Sequence, residues 1–266
     1  MKKILVTNDD GVYAEGIGTL ARALREAGYE VLVCAPDRER SASGHSMTMD
    51  RPLQIKRADA ARTDGAEAWQ CDGTPTDSVI MALEVLNFPA DIVISGINCG
   101  PNLGDDITYS GTACAAMEGV IAGLPSMAVS LVCSSRDKIL HYETAARAAI
   151  EILEWTKNHP MDEGIFYNVN VPNVSPCELR GVKLARKGKR RYNDKITVVK
   201  TPFGGEAYWV GGRIEDDTAE DTDVAAVAKG FASLTPVHLE MTSFAALEKI
   251  SALGMERAVN AALGKN

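Results

Sequence analysis

Aromatic side chains make up only 6% of the 266 residues, histidine occurs four times, and the 28 lysines and arginines are outnumbered by 36 aspartates and glutamates, for a net charge of −8. An acidic balance of that size argues against unaided grip on a nucleic acid polymer, whose phosphates would meet a repulsive mean field. A small phosphorylated ligand fits only where a cation or local donors meet the phosphate. Long apolar runs are also missing. The opening MKKILVTNDD reaches Asp9 and Asp10 too soon to contain a secretory apolar region, and GVIAGLPSMAVSLVC is interrupted by Gly123 and Pro125 before the roughly 20 residues of a membrane span. No export and no membrane association are expected, and the expected location is cytoplasmic. The six cysteines, Cys34, Cys71, Cys99, Cys114, Cys133 and Cys177, include no CxxC pair, which points to reduced thiols rather than a disulfide framework. With 45% hydrophobic residues, the chain can bury a core in one large domain or two unequal ones.

What is present is a regular alternation. KILVT at 3–7 reads as a buried strand, and 16–27 carries Ile17, Leu20, Ala21, Leu24 and Ala27 on one helical face, because spacings of three and four residues line up on an α-helix. Gly28 stops that helix, and YEVLVCAP is a second buried strand closed by Pro36, so the chain opens with a βαβ unit. The pattern continues with a helix at 75–87, a strand at 91–95, a helix at about 111–123, a strand at 126–132, a helix at about 138–157 and a strand at 165–171. Such alternation predicts an α/β fold: a doubly wound, mostly parallel sheet covered on both faces. After Pro172 the segments become shorter, more polar and β-leaning. The expected division is a catalytic core at 1–172, an appendage of β-hairpins and loops at 173–243, and a terminal helical segment at 244–266 that serves oligomerisation. Arg186, Lys187, Lys189, Arg190 and Arg191 form one basic run, read as a solvated hairpin face rather than a phosphate patch.

Ligands of open α/β sheets bind beyond the carboxyl ends of the strands. Those ends are rich in oxygen here: Asn8-Asp9-Asp10-Gly11 after the first strand, DRERSASGHS after the second, and Gly96-Ile97-Asn98-Cys99-Gly100 after the strand at 91–95. Two adjacent carboxylates at a buried edge repel unless neutralised. Carboxylate, hydroxyl and amide oxygens without a histidine cluster suit hard Mg²⁺ or Mn²⁺ better than zinc. The alternative is that one aspartate caps a helix and the other is solvated. GVYAEGIG lacks the Lys and Ser/Thr of a nucleoside triphosphate loop and is not GxGxxG, which removes two common nucleotide folds. Cys34 to Ser41 has the C-x5-R-S spacing of cysteine-dependent phosphatases, but Pro36 has no N–H to aim at a phosphate. GTPTD at 73–77 reads as a capped helix start. Ser110, Gly111 and Thr112 open another helix, where capping and anion binding are both open. Asp105 and Asp106 form a second acid pair whose role, loop-stabilising or catalytic, is also open, and His45 is the one histidine near these loops.

Taken jointly, ILVTNDDGVYAEGI, APDRERSASGHSMT, GTPTD, DIVISGINCGPNLGDDITYSGT and KGFASLTPVHLEMT resemble the survival protein SurE family of metal-dependent 5′/3′-nucleotidases, in order and spacing over nearly the whole chain. The resemblance implies a Rossmann-like core, a protruding C-terminal hairpin, and terminal segments exchanged in a homodimer or homotetramer. By position it implies metal ligands at Asp9, Asp10, Ser41 and Asn98, phosphate contacts at Asn98, Ser110, Gly111 and Thr112, and catalytic roles for Asp9, Asp10 and Asn98. The expected activity is hydrolysis of a nucleoside 5′- or 3′-monophosphate with one Mg²⁺ or Mn²⁺ per subunit. Non-catalytic nucleotide sensing and a Cys34-dependent phosphatase are the alternatives. Two departures stand out: the family's usual RSG is Arg40-Ser41-Ala42, and TPFGGEAYW replaces a DPRG-type turn. A terminal helix bearing Phe244, Leu247, Ile250, Leu253 and Val259 presents an apolar face that the thin appendage cannot cover, which also points to a homo-oligomer.

Overall fold

The structure, a computed structural model, describes residues 2–193, 196–217 and 219–265. The first strand β1 (Lys3–Thr7) is followed by helix α1 (Glu15–Glu26) and strand β2 (Glu30–Pro36). Two short strands that lack a readable apolar period come next, β3 (Ile55–Arg57) and β4 (Glu67–Cys71), neither of them expected from the sequence. Helix α2 (Pro75–Ile80) begins in the capping box formed by Thr74 and Asp77 and continues as a π-helical turn over Met81–Val85 instead of a regular helix. Then follow β5 (Ile92–Cys99), α3 (Gly111–Ile121), β6 (Ser126–Val132), α4 (Tyr142–Thr156) and β7 (Ile165–Pro172); all but β5 lie close to the predicted spans, whereas β5 runs past the expected end at 95 and, after a register shift, carries Asn98 within the strand rather than in the loop after it.

The later chain holds β8 (Val182–Leu184), β9 (Arg190–Asn193), β10 (Ile196–Lys200), β11 (Glu206–Val210), β12 (Arg213–Asp216), helix α5 (Asp223–Ala228) and β13 (Ala232–His238). Two exposed helices, α6 (Phe244–Ala252) and α7 (Met255–Ala262), follow.

The main sheet has nine strands in the order β3-β4-β2-β1-β5-β6-β7-β13-β8. From β4 to β7 every pairing is parallel, while β3 and β13 run antiparallel to their neighbours β4 and β7. The chain winds outward from β1 in one direction through β2 and returns to β1's other side at β5, which makes the β1/β5 junction the topological switch point. Helices α1 and α4 pack together on one face, and α2 and α3 on the other. Burial follows strand alternation: Ile4 and Val6 join the core under α1 and α4, and Leu5 joins the one under α2. Close backbone approach needs glycine at Gly16, where a Cβ would overlap the Ile97 carbonyl oxygen.

Residues 232–238 are not part of a separate hairpin region, as the polar texture after Pro172 suggests. They form β13, inserted between β7 and β8 in the main sheet, with Leu234 and Ala232 buried in its core. Two antiparallel ladders, β9–β12 and β10–β11, do protrude as a ribbon.

Candidate active site

Beyond the ends of β1 and β5 lies a cleft of about 570 Å³, whose wall includes Asp9, Ser41, Asn98 and Ser110. Four residues from four separate sequence segments therefore meet at the switch point. The turn that presents the first acid pair is closed by Asn8, whose carboxamide donates to the Gly11 carbonyl at 3.0 Å and accepts from the Gly11 N–H at 3.1 Å. The loop after β2 is tied to it by the Arg40 N–H, which donates to the Asp9 carbonyl at 2.7 Å.

Asp9 is only 4% exposed. Burial pushes its carboxyl up to about 6, with the Asp10 charge adding to the rise and hydrogen bonds from Thr112 opposing it. Burial raises Asp10 too, against a 2.9 Å hydrogen bond from the Cys99 N–H and with the charge of Glu39 adding to the rise. Among the described residues, neither carboxyl is paired with a lysine, arginine or histidine, and the leading influences on both are burial, hydrogen bonds and neighbouring acids. Two desolvated neighbouring carboxylates without a counter-charge are a strained arrangement that a cation would relieve.

Asn98 completes the fit. Its side-chain N–H donates to the Gly100 carbonyl at 3.0 Å, which leaves its amide oxygen as the free acceptor. Ser41 lies on the cleft wall with its hydroxyl donating to Glu39 at 2.6 Å. Among the described residues no group of three or more His, Cys, Asp or Glu could hold a metal. An ion here would have to combine the two aspartates with hydroxyl and amide oxygens, a donor set suited to a hard divalent cation.

Helix α3 begins at the same place. Ser110 caps it by accepting from the Ala113 N–H at 3.0 Å. A hydroxyl that accepts there still has its own proton to donate, and the first N–H groups of the helix have no partner within it. Gly111 is required because a Cβ at that position would stand 2.8 Å from the Asp9 Cβ and 2.8 Å from the Ser43 hydroxyl. The Thr112 hydroxyl donates to Asp9, and its side chain is not part of the cleft wall. Asp10 and Gly111 are absent from that wall as well.

Several residues escaped the sequence reading. The Ser43 hydroxyl is buried without a partner, beside Asp9 and Gly111; a serine in a polar loop carries no signal of burial. Asn102 lies on the cleft wall, its carbonyl accepting from Asn168 and Asn170 at 2.9 and 3.0 Å while its carboxamide donates to Ser130 at 2.8 Å. The asparagines of NVNV on β7 were a usable sign, being polar groups in a strand buried on both faces. GTPTD does more than cap: Asp77 accepts from the Thr48 N–H and hydroxyl, at 3.0 and 2.6 Å, and so anchors the loop that follows Ser41. His45 pairs with Glu118 of α3 at 2.8 Å and is not part of the cleft wall.

The second acid pair holds the ribbon. Asp106 accepts from the Arg190 guanidinium at 3.0 Å and from the Tyr192 hydroxyl at 2.7 Å, while Asp105 pairs with Lys187. Arg190 also binds Asp216 through two hydrogen bonds at 2.7 and 3.1 Å. Burial alone would lower the Arg190 pKa, but its bonds to Asp216 and Asp106 raise it further. Of the basic run, Arg186, Lys187, Lys189 and Arg191 are exposed, as expected of a solvated face, with Arg186 and Lys187 also paired to nearby acids; Arg190 departs from that reading, being buried between Asp106 and Asp216. This clamp brings Tyr192, Val210 and Gly211 into the cleft wall, opposite the largely exposed Tyr109.

Cys34 does not suit a nucleophile. It is fully buried, burial pushes its thiol far up, and Arg40 donates to the Asp72 carbonyl at 2.7 Å. A cysteine phosphatase needs the opposite, a depressed and accessible thiol.

The family model described as Survival protein SurE matches residues 4–194. The chain is 48% identical over 252 residues to the 5′-nucleotidase SurE of Stenotrophomonas maltophilia (strain K279a), with 94% of each chain covered. It is 44% identical over 242 residues to the 5′-nucleotidase SurE of Gloeobacter violaceus (strain ATCC 29082 / PCC 7421), covering 90% of this chain and 91% of that one. The crystal structure of the Sure protein from Aquifex aeolicus superposes with a TM-score of 0.79 at 37% identity, covering 95% of this chain and 99% of that one.

Proposed function

The chain belongs to the SurE family, and from that premise we infer that it is a 5′-nucleotidase, a divalent-metal-dependent phosphomonoesterase that converts nucleoside monophosphates to nucleoside and phosphate. The observation that carries this reading is the buried Asp9 carboxylate and its partly buried neighbour Asp10, without an ion-pair partner among the described residues, beside the start of α3. Asp9, Asp10, Ser41 and Asn98 would hold one Mg²⁺ or Mn²⁺ per subunit. When bound, such an ion neutralises the carboxylates, polarises the phosphoryl group and activates water.

The remaining work falls to the chain itself. Thr112 orients Asp9 through its hydroxyl. Ser110 and the backbone N–H groups at the start of α3 meet the phosphoryl oxygens, where the helix dipole favours negative charge. Asn102, held by the network beneath it, borders the same space. The nucleoside lies outward between Tyr109 and the ribbon residues Tyr192 and Val210, a wall with aromatic rings for a base to meet. The same proposal includes 3′-monophosphates as substrates and a cytoplasmic location. The location is supported by six free cysteines and by the lack, among the described residues, of any helix long and apolar enough to cross a membrane. A homodimer or homotetramer is supported by the uncovered apolar side chains of α6 and α7.

The test is phosphate release from adenosine 5′-monophosphate and from an aryl phosphate, with Mn²⁺ or with EDTA, by the wild type and by Asp9→Asn and Cys34→Ser. Expected are loss of activity on chelation, a fall of about 10³-fold or more in Asp9→Asn, and near wild-type activity in Cys34→Ser. Turnover that resists EDTA and vanishes in Cys34→Ser would overturn the assignment. Nucleotide binding without turnover under any metal condition would leave a sensor in its place.

A further inference from the structure

Cys99 and Cys133 lie outside the proposed donor set and face each other. Cys99 ends β5, Cys133 follows the adjacent strand β6, and the Gly100 N–H donates to the Leu131 carbonyl at 3.0 Å to hold the two backbones together there. Their sulfur atoms are 3.6 Å apart. Cys99 is exposed and part of the cleft wall, whereas Cys133 is half-buried, so one thiol meets solvent and the other stands behind it. The other cysteines lack this arrangement: Cys34, Cys71 and Cys114 are buried, and exposed Cys177 has the hydroxyl of Ser175 as its neighbour rather than a thiol.

We propose that Cys99 and Cys133 form a reversible disulfide in response to a hydroperoxide, and that this bond turns down the adjacent metal-binding turn. The Cys99 thiolate attacks one oxygen of the hydroperoxide. The O–O bond breaks, the other oxygen takes up the proton that the Cys99 thiol released on ionising and leaves as water or alcohol, and Cys99 becomes a sulfenic acid. The Cys133 sulfur then attacks the Cys99 sulfur, the S–O bond breaks, and the Cys133 proton leaves with the hydroxyl as water. Two thiols supply the two electrons that reduce the peroxide. Exchange with a small thiol restores both side chains.

The geometry links this bond to the site. A disulfide requires a sulfur separation of about 2.05 Å, so the segments must draw together from 3.6 Å. Cys99 supplies the N–H that holds Asp10 at 2.9 Å, and the preceding Asn98 is fixed to Gly100 at 3.0 Å. Movement of Cys99 therefore displaces a proposed ligand on either side of it. Displacements approaching 1 Å cost up to about 10²-fold in rate, and a loss of at least about tenfold is expected here. That functional half rests on the nucleotidase reading; formation of the bond does not.

The full-length protein is exposed to stoichiometric hydrogen peroxide, free thiols are alkylated, and the protein is digested without reductant. A peptide joining Cys99 to Cys133, an intact mass lower by two hydrogens, and reversal of both by dithiothreitol are expected. Cys133→Ser should retain basal activity, lack the cross-link, and carry Cys99 as a sulfenic acid trapped by dimedone. Calorimetric titration with Mn²⁺ should show weaker binding to the oxidised wild type than to the reduced protein. Absence of the cross-link, or a cross-link through other cysteines, overturns the proposal. Unchanged activity and Mn²⁺ binding in the cross-linked protein overturn its regulatory half. A protein inactive in every redox state refutes the nucleotidase reading, and the peptide map still decides the disulfide.

Discussion

Ala42 sits on the cleft wall with a φ of +55°, in the left-handed region where a Cβ is crowded. This is the position at which the sequence departs from the RSG pattern, and the backbone still adopts the conformation that glycine tolerates without strain. A non-glycine residue there costs about 1–2 kcal/mol, partly offset because glycine loses more entropy on folding. Ala42→Gly is therefore expected to stabilise the fold by about 0.5–1 kcal/mol, raising the melting temperature by roughly 1–4 °C in calorimetry. An unchanged or lower melting temperature would show that the loop relaxes around Ala42 without cost. At this scale the sequence spoke unevenly. Asp9 and Asp10 were legible because two acids directly after a buried strand must be either neutralised or exposed. Ser43 and Asn102 were not, since their importance comes from burial and from partners more than twenty residues away.

Among the elements, the ribbon and its clamp determine the outer half of the cleft. Arg190 has 6% of its side chain exposed and ties Asp106 of the site loop to Asp216 of β12. Arg190→Met keeps most of the volume but strands two carboxylates, and about 3 kcal/mol of local stability should be lost. Hydrogen exchange should then lose protection over β9 and β12 while β1 and β5 keep theirs, and KM for the nucleotide should rise more than KM for an aryl phosphate. Equal effects on both substrates would show that the ribbon does not contact the nucleoside. The neighbouring Asp105 adds an acid dependence. Its hydrogen bond from Lys187, first among the causes, and that from the Arg190 N–H hold its carboxyl below the usual 3.8. The folded-state value is lower than the unfolded one, so this contribution is complete above the unfolded value and is lost as the pH falls through the depressed folded value. Exchange protection of β9 should accordingly drop first at the acid end of a pH series. Periodicity located β1, β2, β6 and β7 because a strand buried on both faces writes a continuous apolar run. It missed β3 and β4, whose IKR and EAWQC stretches lie near one edge of the sheet with only Ala68 and Cys71 buried, and there pairing rather than pattern defines the strand.

For the whole molecule, the most prominent unexplained surface is apolar. Phe244, Leu247, Leu253 and Leu263 on the terminal helices, and Phe203, Trp209 and Val210 on the ribbon, are all more than half exposed. A monomer would leave them in water, at about 25 cal/mol per Å² of apolar surface that could be covered. Sedimentation at micromolar concentration is expected to give a dimer or tetramer, and Leu247→Asp combined with Ile250→Asp should shift it to monomer with the core still folded. A monomeric wild type would refute this expectation. The sequence pattern announced the apolar terminal helix but not that β13, just before it, belongs to the main sheet. ASLTPVH contains a proline and three polar residues, and only pairing with both β7 and β8 explains why Ser233 and Thr235 are buried there. That insertion also has a consequence during synthesis. When β7 leaves the ribosome, the strand that will cover its open edge is still untranslated, and at roughly 5–20 residues per second the edge waits several seconds for β13 to emerge. Throughout that interval the nascent chain presents an uncapped β edge, and any pause in translation between Pro172 and Ala232 lengthens the time in which a neighbouring nascent chain can pair with it.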